Sequence, residues 1–248
     1  MKTAVLVFSK VPLPGRTKSR LGEKLTAFEC ALVHRACLDD MHRELKKTGC
    51  KGFLYYTGGS EQDFLSPFAG EIPAGFDNLR KLNFDGFEFK LQKGRDLGER
   101  MYHAARETLK CFQQIIILGS DLPGISCDLI IRTQELLAQS SVVLGPAADG
   151  GYYLIGLKKA YEKLFCNISW GSERVLLQTM EAAGYLGLSA SMLPEKRDVD
   201  RWGDLLFYGN LPSEDLDLGE QSALRLAHYL KQKYTMPSME EEKLENDH

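Results

Sequence analysis

Short apolar runs alternate along this chain with segments whose apolar positions recur every three to four residues. Residues 3–9 (Thr-Ala-Val-Leu-Val-Phe-Ser) are apolar almost throughout, and Ile115-Ile116-Ile117-Leu118 is wholly so. Runs this uniform predict strands covered on both faces of a parallel sheet. Shorter runs at 53–57, 142–145 and 151–157 predict further strands, and 87–92 alternates as a strand with one covered face.

Between them lie helical patterns. Thr26 and Glu29 form a capping box ahead of a stripe of Phe28, Ala31, Leu32, Leu38, Met41 and Leu45 that stops at Gly49. Asp96 caps a second helix, with Leu97, Met101, Ala104, Ala105, Leu109 and Phe112 on its apolar side. Helices are also expected over 126–139, 172–183, 202–207 and 215–234, and a late strand over 186–193. Residues 58–86 carry Gly and Pro punctuation and predict a short helix at most. Strand–helix alternation without a repeat or linker predicts one α/β domain over residues 1–234, built on a mostly parallel sheet with helices on both faces. Residues 235–248 form an acidic, apolar-poor tail, expected to be disordered.

Composition narrows the function classes. The chain has 248 residues, 44% hydrophobic and 26% charged, with a formal net charge of −3. Residues 239–248 alone carry −4, which leaves about +1 on the remainder. No basic field for a polyanion or an anionic membrane results, so nucleic-acid and membrane partners are not expected. The apolar start is too short for a secretory signal. The six cysteines contain no C-x-x-C pair and predict reduced thiols in a cytoplasmic protein. None of the five histidines is spaced i, i+4, so no histidine metal site is expected.

The candidate chemistry lies just after the strands, where open α/β sheets bind ligands. Asp121 follows the 115–118 run at Gly119-Ser120-Asp121-Leu122-Pro123-Gly124. A carboxylate there needs a partner, and a divalent cation carrying phosphates would be one. Helix capping is the plainer alternative, but Ser126 is the better-placed cap. After the first strand, Lys10, Arg16, Lys18 and Arg20 punctuate a loop stiffened by Pro12, Pro14 and Gly15. Arg grips phosphate as a fork and Lys as a point charge. The G-x-x-x-x-G-K spacing of a Walker loop is absent. Asp198 and Asp200 flank Val199 before a helix; either could cap it or join Asp121 on a metal, and Asp200 is the preferred ligand. Gly98 in a first helical turn costs about 1 kcal/mol relative to Ala, which predicts close approach by another group. Asp149 lies in the turn Asp149-Gly150-Gly151, where it could meet a substrate hydroxyl.

Taken together, F-S-K-x-P-x-P-G-R-x-K-S-R-L, Q-x-G-x-D-L-G-E-R, L-G-S-D-L-P-G, G-P-A-x-D-G-G-Y-Y-L-I-G-L, W-G-S-E-R-V and R-D-V-D resemble a bacterial family of nucleotide-diphospho-sugar transferases with a glycosyltransferase-A fold, labelled DUF2064. The motifs span residues 8–200. The opening loop also looks like that of 2-phospho-lactate guanylyltransferases, and the overall plan like molybdenum-cofactor guanylyltransferases. The resemblance implies a nucleotide over the first strand, held by Lys10, Gly15, Arg16, Lys18, Arg20, Gln92 and Asp96. It implies a divalent metal, Mg2+ or Mn2+, held by Asp121 with Asp200 as second ligand; from the residues themselves, catalytic roles are expected for Asp121, Lys18 and Asp149. Asp121-Leu122-Pro123 leaves one acid where the glycosyltransferase D-x-D pattern has two.

The expected activity is metal-dependent transfer from a nucleotide-activated donor to a small acceptor, with glycosyl transfer from a nucleotide-diphospho-sugar ahead. Nucleotidyl transfer from an NTP to a phosphorylated small molecule, with pyrophosphate release, is the alternative; the basic loop suits a triphosphate. The lone acid at Asp121 also admits a nucleotide-sugar-binding regulator without turnover. A phosphatase lacks an evident nucleophile in this sequence.

Overall fold

The two most apolar runs are neighbours at the centre of one sheet. In the computed structural model, which describes residues 2–212 and 221–235, β1 (Thr3–Lys10) pairs in parallel with β4 (Gln114–Gly119). On β1's other side follow β2 (Lys51–Thr57) and β3 (Phe87–Leu91), both parallel. Beyond β4 lie β6 (Tyr152–Leu157), β5 (Val142–Pro146) and β7 (Ala190–Met192), giving the order β3-β2-β1-β4-β6-β5-β7. Only β6 runs antiparallel, to both β4 and β5, while β5 and β7 are parallel.

Why the central runs tolerate no polar residue follows from the pleat, which sends successive side chains to opposite faces. From β1, Val5 and Val7 pack on α1 (Ala27–Lys47) and α4 (Cys127–Gln139) through Leu38, Met41, Ile130 and Leu137. Ala4 and Leu6 face the other way, toward α3 (Leu97–Thr108) and α5 (Val175–Tyr185) through Met101, Ala104, Ala105 and Ala183. Each large apolar side chain so buried contributes about 1.5–3 kcal/mol. The α/β architecture with helices on both faces is thus as the sequence pattern predicts.

A third layer lies outside α1, where α6 (Trp202–Gly209) and α7 (Ser222–Thr235) pack on its far side through Leu205, Leu224, Leu226 and Leu230. Two adjacent aspartates on α1 secure α7. The carboxylate of Asp40 accepts the backbone N–H groups of Ser222 at 2.6 Å and Ala223 at 2.8 Å, and Asp39 accepts the Ser222 hydroxyl at 3.0 Å. These are the orphan donors of a helix start, met by a buried acid of another helix. Arg35, also buried in α1, donates to the carbonyls of Leu79 at 2.7 Å and Arg80 at 3.0 Å and lies over the Phe68 ring. It pins the irregular 58–86 segment, whose regular parts are α2 (Glu61–Leu65) and a 3-10 turn at Asp77–Arg80.

Some boundaries differ from the sequence expectation. The helix expected over 172–183 is α5, Val175–Tyr185, because the Ser172 hydroxyl donates to the Ser169 carbonyl and holds a turn there. That helix ends on Gly187 at φ 65°, so the late strand shrinks from 186–193 to Ala190–Met192. The helix expected over 215–234 is described from Ser222; residues 213–220, and the tail from 236 on, lie outside the described residues. All six cysteines are unpaired. Among the described residues no helix is long and apolar enough to cross a membrane.

Candidate functional site

Because every strand but β6 points one way, the carboxyl ends of β1, β4 and β5 meet at one sheet edge, with Tyr152 of the reversed β6 beside them. The loop after β1 turns through Gly15 (φ 73°) and enters a 3-10 turn at Ser19–Glu23. Lys18 immediately before it adopts a left-handed conformation, φ 51°, ψ 37°. That uncommon backbone for a non-glycine residue turns a lysine inward from a polar loop. Its ammonium donates to the Val199 carbonyl at 2.5 Å and forms an ion pair with Asp121. The lysine side chain is 2% exposed; that of Asp121 keeps 51% of its surface open to the cleft. Burial is the largest single influence and disfavours the ammonium, but the charge and hydrogen bond of Asp121, joined by Cys37 and Asp198, together raise the Lys18 pKa. Desolvation likewise pushes the Asp121 carboxyl up, and Lys18 with His34 brings it below the usual carboxylate range.

His34 is a residue that sequence reasoning passes over. It lies on the covered face of α1 and is 1% exposed. Its Nδ1 meets Thr17 Oγ1 at 2.6 Å, and its Nε2 meets Ser9 Oγ at 3.1 Å and Ser120 Oγ at 3.0 Å. One ring therefore ties the basic loop to the ends of β1 and β4. Burial holds its pKa down at about 4, with Asp121 opposing and Lys18 assisting.

The segment after β7 closes the site. The Val199 N–H donates to the Asp121 backbone carbonyl at 3.0 Å, so Asp198 and Asp200 flank a residue fixed at the cleft. Asp200 pairs with Arg20 across half-exposed surface, and its own N–H donates to Asp204 at 3.2 Å. Asp198 differs: among the described residues its buried Oδ1 has no hydrogen-bond partner. Desolvation, then the charges of Asp121 and Asp149, raise its carboxyl to about 7. An unpartnered buried oxygen beside a second carboxylate fits a hard divalent cation, which takes one or two carboxylates and completes its shell with phosphate and water. No group of three or more His, Cys, Asp or Glu side chains among the described residues could enclose a metal.

Two chambers open here, sharing Phe8, Leu97 and Gly119. The larger, about 560 Å3, is polar and basic, with Lys10, Lys18, Arg20 and Arg100 on its walls and Asp121 and Asp200 within. The smaller, about 220 Å3, is walled by Met101, Tyr152, Trp170 and Val175 and has Asp149 and Asp198 as its charged residues. Trp170 meets Tyr152 edge to face, with ring centroids 6.3 Å apart. Gly98 makes this wall possible: a Cβ there would sit 2.5 Å from the Phe165 carbonyl oxygen and 2.7 Å from Trp170 Nε1. The close approach that its placement in a first turn predicts is thus by the Trp170 segment. Gly150, at φ 86°, lies so near Glu173 that a Cβ would fall 2.2 Å from that residue's carbonyl oxygen.

The predicted residues separate accordingly. Lys10, Lys18, Arg20, Gln92, Asp121 and Asp200 line the basic chamber and Asp149 the smaller one. Gln92 spends its amide on the carbonyls of Tyr55 at 2.9 Å and Ser9 at 3.3 Å. Arg16 and Gly15 lie exposed outside either chamber, Arg16 within electrostatic reach of Asp63. Asp96 is exposed and accepts the Glu99 N–H at 2.8 Å as the cap of α3. Arg100, which closes the same motif, points into the basic chamber instead and was signalled only by that motif's ending.

Comparison with known proteins bears on the fold and the family. The family model described as "Uncharacterized protein conserved in bacteria (DUF2064)" matches residues 41–172, a stretch holding Gln92, Asp121 and Asp149 but neither Lys18 nor Asp198. A protein of Desulfovibrio desulfuricans G20, described by inference as a nucleotide-diphospho-sugar transferase, is 30% identical with a TM-score of 0.77, over 96% of this chain and 100% of that one. A cytidylyltransferase from Leptospira borgpetersenii serovar Hardjo-bovis shares the fold at 16% identity and a TM-score of 0.53, over 96% and 99% of the two chains. A Mycobacterium tuberculosis H37Rv protein solved in complex with manganese shares it at 16% identity and a TM-score of 0.50, over 84% and 96%. No curated protein sequence matches the chain.

Proposed function

The chain belongs to the bacterial family DUF2064, and on that premise we propose that it transfers a group from a nucleotide-activated donor to a small acceptor, the group being a sugar. One observation carries the reading: a basic chamber and a carboxylate-rimmed one meet at Gly119, on the carboxyl edge of β1 and β4. The larger chamber falls within the range of about 300–1,000 Å3 usual for ligand sites. Lys10, Lys18, Arg20 and Arg100 supply the cationic contacts that a diphosphate needs. His34 fixes Thr17 and the ends of both strands, so the loop bearing Lys18 is set before a ligand arrives.

Asp121 and Asp198 would hold Mg2+ or Mn2+, Asp198 being preferred over the half-exposed Asp200 because its buried oxygen has no partner among the described residues. Such an ion, when bound, neutralises charge developing on a diphosphate leaving group. The manganese-bound fold relative is compatible with this choice of metal. In the transfer itself an acceptor hydroxyl oxygen bonds to the anomeric carbon while the bond from that carbon to the β-phosphate oxygen breaks. The hydroxyl proton passes to a carboxylate, Asp149 in this reading, since it lines the smaller chamber, and the nucleoside diphosphate departs with the bonding electron pair. Lys18, buried and paired with Asp121, would add positive charge on the phosphate side of the site, in a desolvated setting where a cation counts for more than in water.

Nucleotidyl transfer is the second reading, favoured by the number of cations around the larger chamber. There an acceptor phosphate would attack the α-phosphorus and pyrophosphate would leave. Incubation with a panel of NDP-sugars and NTPs separates the two: NDP release supports glycosyl transfer, and pyrophosphate release supports nucleotidyl transfer. A thermal-shift screen of the same ligands, with and without magnesium, tests binding independently of turnover. Absence of any nucleotide-dependent shift would sink both.

A further inference from the structure

We infer that the smaller chamber takes an uncharged alcohol with an apolar face and rejects a phosphate monoester. The inference rests on the transferase reading only in calling that occupant the acceptor. Its ground is the lining. Phe8, Met101, Ile117, Ile155, Tyr152 and Trp170 make the walls apolar and aromatic. Among the described residues no Lys, Arg or His lines it, and both charged lining residues, Asp149 and Asp198, are acids. The site's cations are gathered on the far side of the wall formed by Phe8, Leu97 and Gly119. In the metal-free protein a phosphate entering the smaller chamber would give up water for aromatic rings and meet carboxylates, with nothing to pair its charge. A hydroxyl would find acceptors in the same carboxylates, while a flat carbon face would lie against Trp170 and Tyr152.

Size points the same way. At about 220 Å3 the chamber lies below the range of about 300–1,000 Å3 for drug-sized ligands, so one small ring or a short chain fills it. The wall is held rather than loose: Trp170 packs through Gly98 against α3, and Gly150 docks the Asp149 turn on Glu173. The Leu176 N–H donates to the Gly150 carbonyl at 2.9 Å, tying that turn to α5. The chamber therefore selects by a fixed shape and by charge sign. The phosphorylated acceptor of the nucleotidyl reading does not suit it.

Trp170 itself reports the test, since the chain has two tryptophans and Trp202 lies away on α6. In a Trp202→Phe protein, Trp170 fluorescence is titrated with hexan-1-ol, cyclohexylmethanol and hexyl phosphate, with no donor and no divalent metal present. The expected result is a saturable change with the neutral alcohols and at least tenfold weaker response to the phosphate. Leu97→Arg, a change at a residue 41% exposed on the shared wall, should narrow or reverse that preference. Equal or tighter binding of hexyl phosphate by the parent overturns the inference, as does no response to either alcohol. An unchanged preference in Leu97→Arg overturns it too. Because no nucleotide is used, these outcomes are distinct from failure of the nucleotide screen, which would remove the transferase reading and leave the chamber's selectivity standing.

Discussion

Lys18 and Asp121 reach the same point from different strands, and their ion pair is sealed on the lysine side and open on the aspartate side, at 2% and 51% exposure. The ammonium is held by the fold, while the carboxylate still faces the cleft. Lys18→Met should cost about 1–3 kcal/mol, because the Val199 carbonyl and Asp121 each lose a charged donor in a partly buried setting. Urea unfolding measures that loss. Nucleotide-induced stabilisation should fall at least tenfold in apparent affinity in the same variant, and its retention would remove Lys18 from the binding set.

Asp198 and Asp200 should behave differently although they are two residues apart. Asp198→Asn removes an acid whose buried oxygen has no partner, so the ligand-free protein should melt no lower, while the magnesium-dependent part of the nucleotide shift disappears. Asp200→Asn breaks a half-exposed pair worth about 0–1 kcal/mol and should leave the magnesium dependence in place. Thermal shifts with and without magnesium decide; the reverse pattern would return the metal to Asp200.

The His34 ring predicts a pH dependence with a definite sign. Its pKa is about 4 in the fold against 6.5 unfolded, so between these values the unfolded chain binds the proton and the folded one does not. The stabilisation from a neutral His34 is therefore complete above pH 6.5 and declines as pH falls toward 4, by up to about 3 kcal/mol. Asp40, raised by burial to about 6 from 3.8, titrates in the opposite sense, gaining stability as pH falls through the same window. The quantity to follow is thus the stability difference between wild type and His34→Asn from pH 7.5 down to 4.5. A difference independent of pH would contradict a neutral buried imidazole.

At Gly98, helix propensity and packing make opposite forecasts. Alanine would gain about 1 kcal/mol of intrinsic propensity. Its methyl, however, would lie 2.5 Å from the Phe165 carbonyl, which cannot rotate aside as a flexible side chain would. Gly98→Ala should destabilise by about 1–3 kcal/mol net and shift the Trp170 emission, since overpacking costs of that size are usual. A rise in Tm would mean the Trp170 segment yields freely.

Much of this was legible because it follows from single-residue chemistry. The uniform apolar runs of β1 and β4 mark strands covered on both faces, Thr26 with Glu29 announces α1, and Asp121 marks the carboxyl edge. What stayed hidden depends on pairings between distant segments. His34 sits in an apolar helix face and looks like core until Ser9, Thr17 and Ser120 converge on it. Asp39 and Asp40 look like solvated charges, and only the start of α7 explains their burial. In the basic loop, periodicity does not say which cation turns inward; the left-handed backbone at Lys18 selects it over exposed Arg16. Ser172 resembles a helix cap, but its hydroxyl is spent on Ser169.

The reversal of β6 has a consequence for how such a protein can diversify. It turns the wall around Asp149 into the tip of a hairpin, where residues on either side of the docked Gly150 can change without shifting the ladder behind them. The wall across from it is pinned by His34 and Lys18 and has no such latitude. Lineages descended from one ancestor can therefore exchange one half of their chemistry while inheriting the other unaltered.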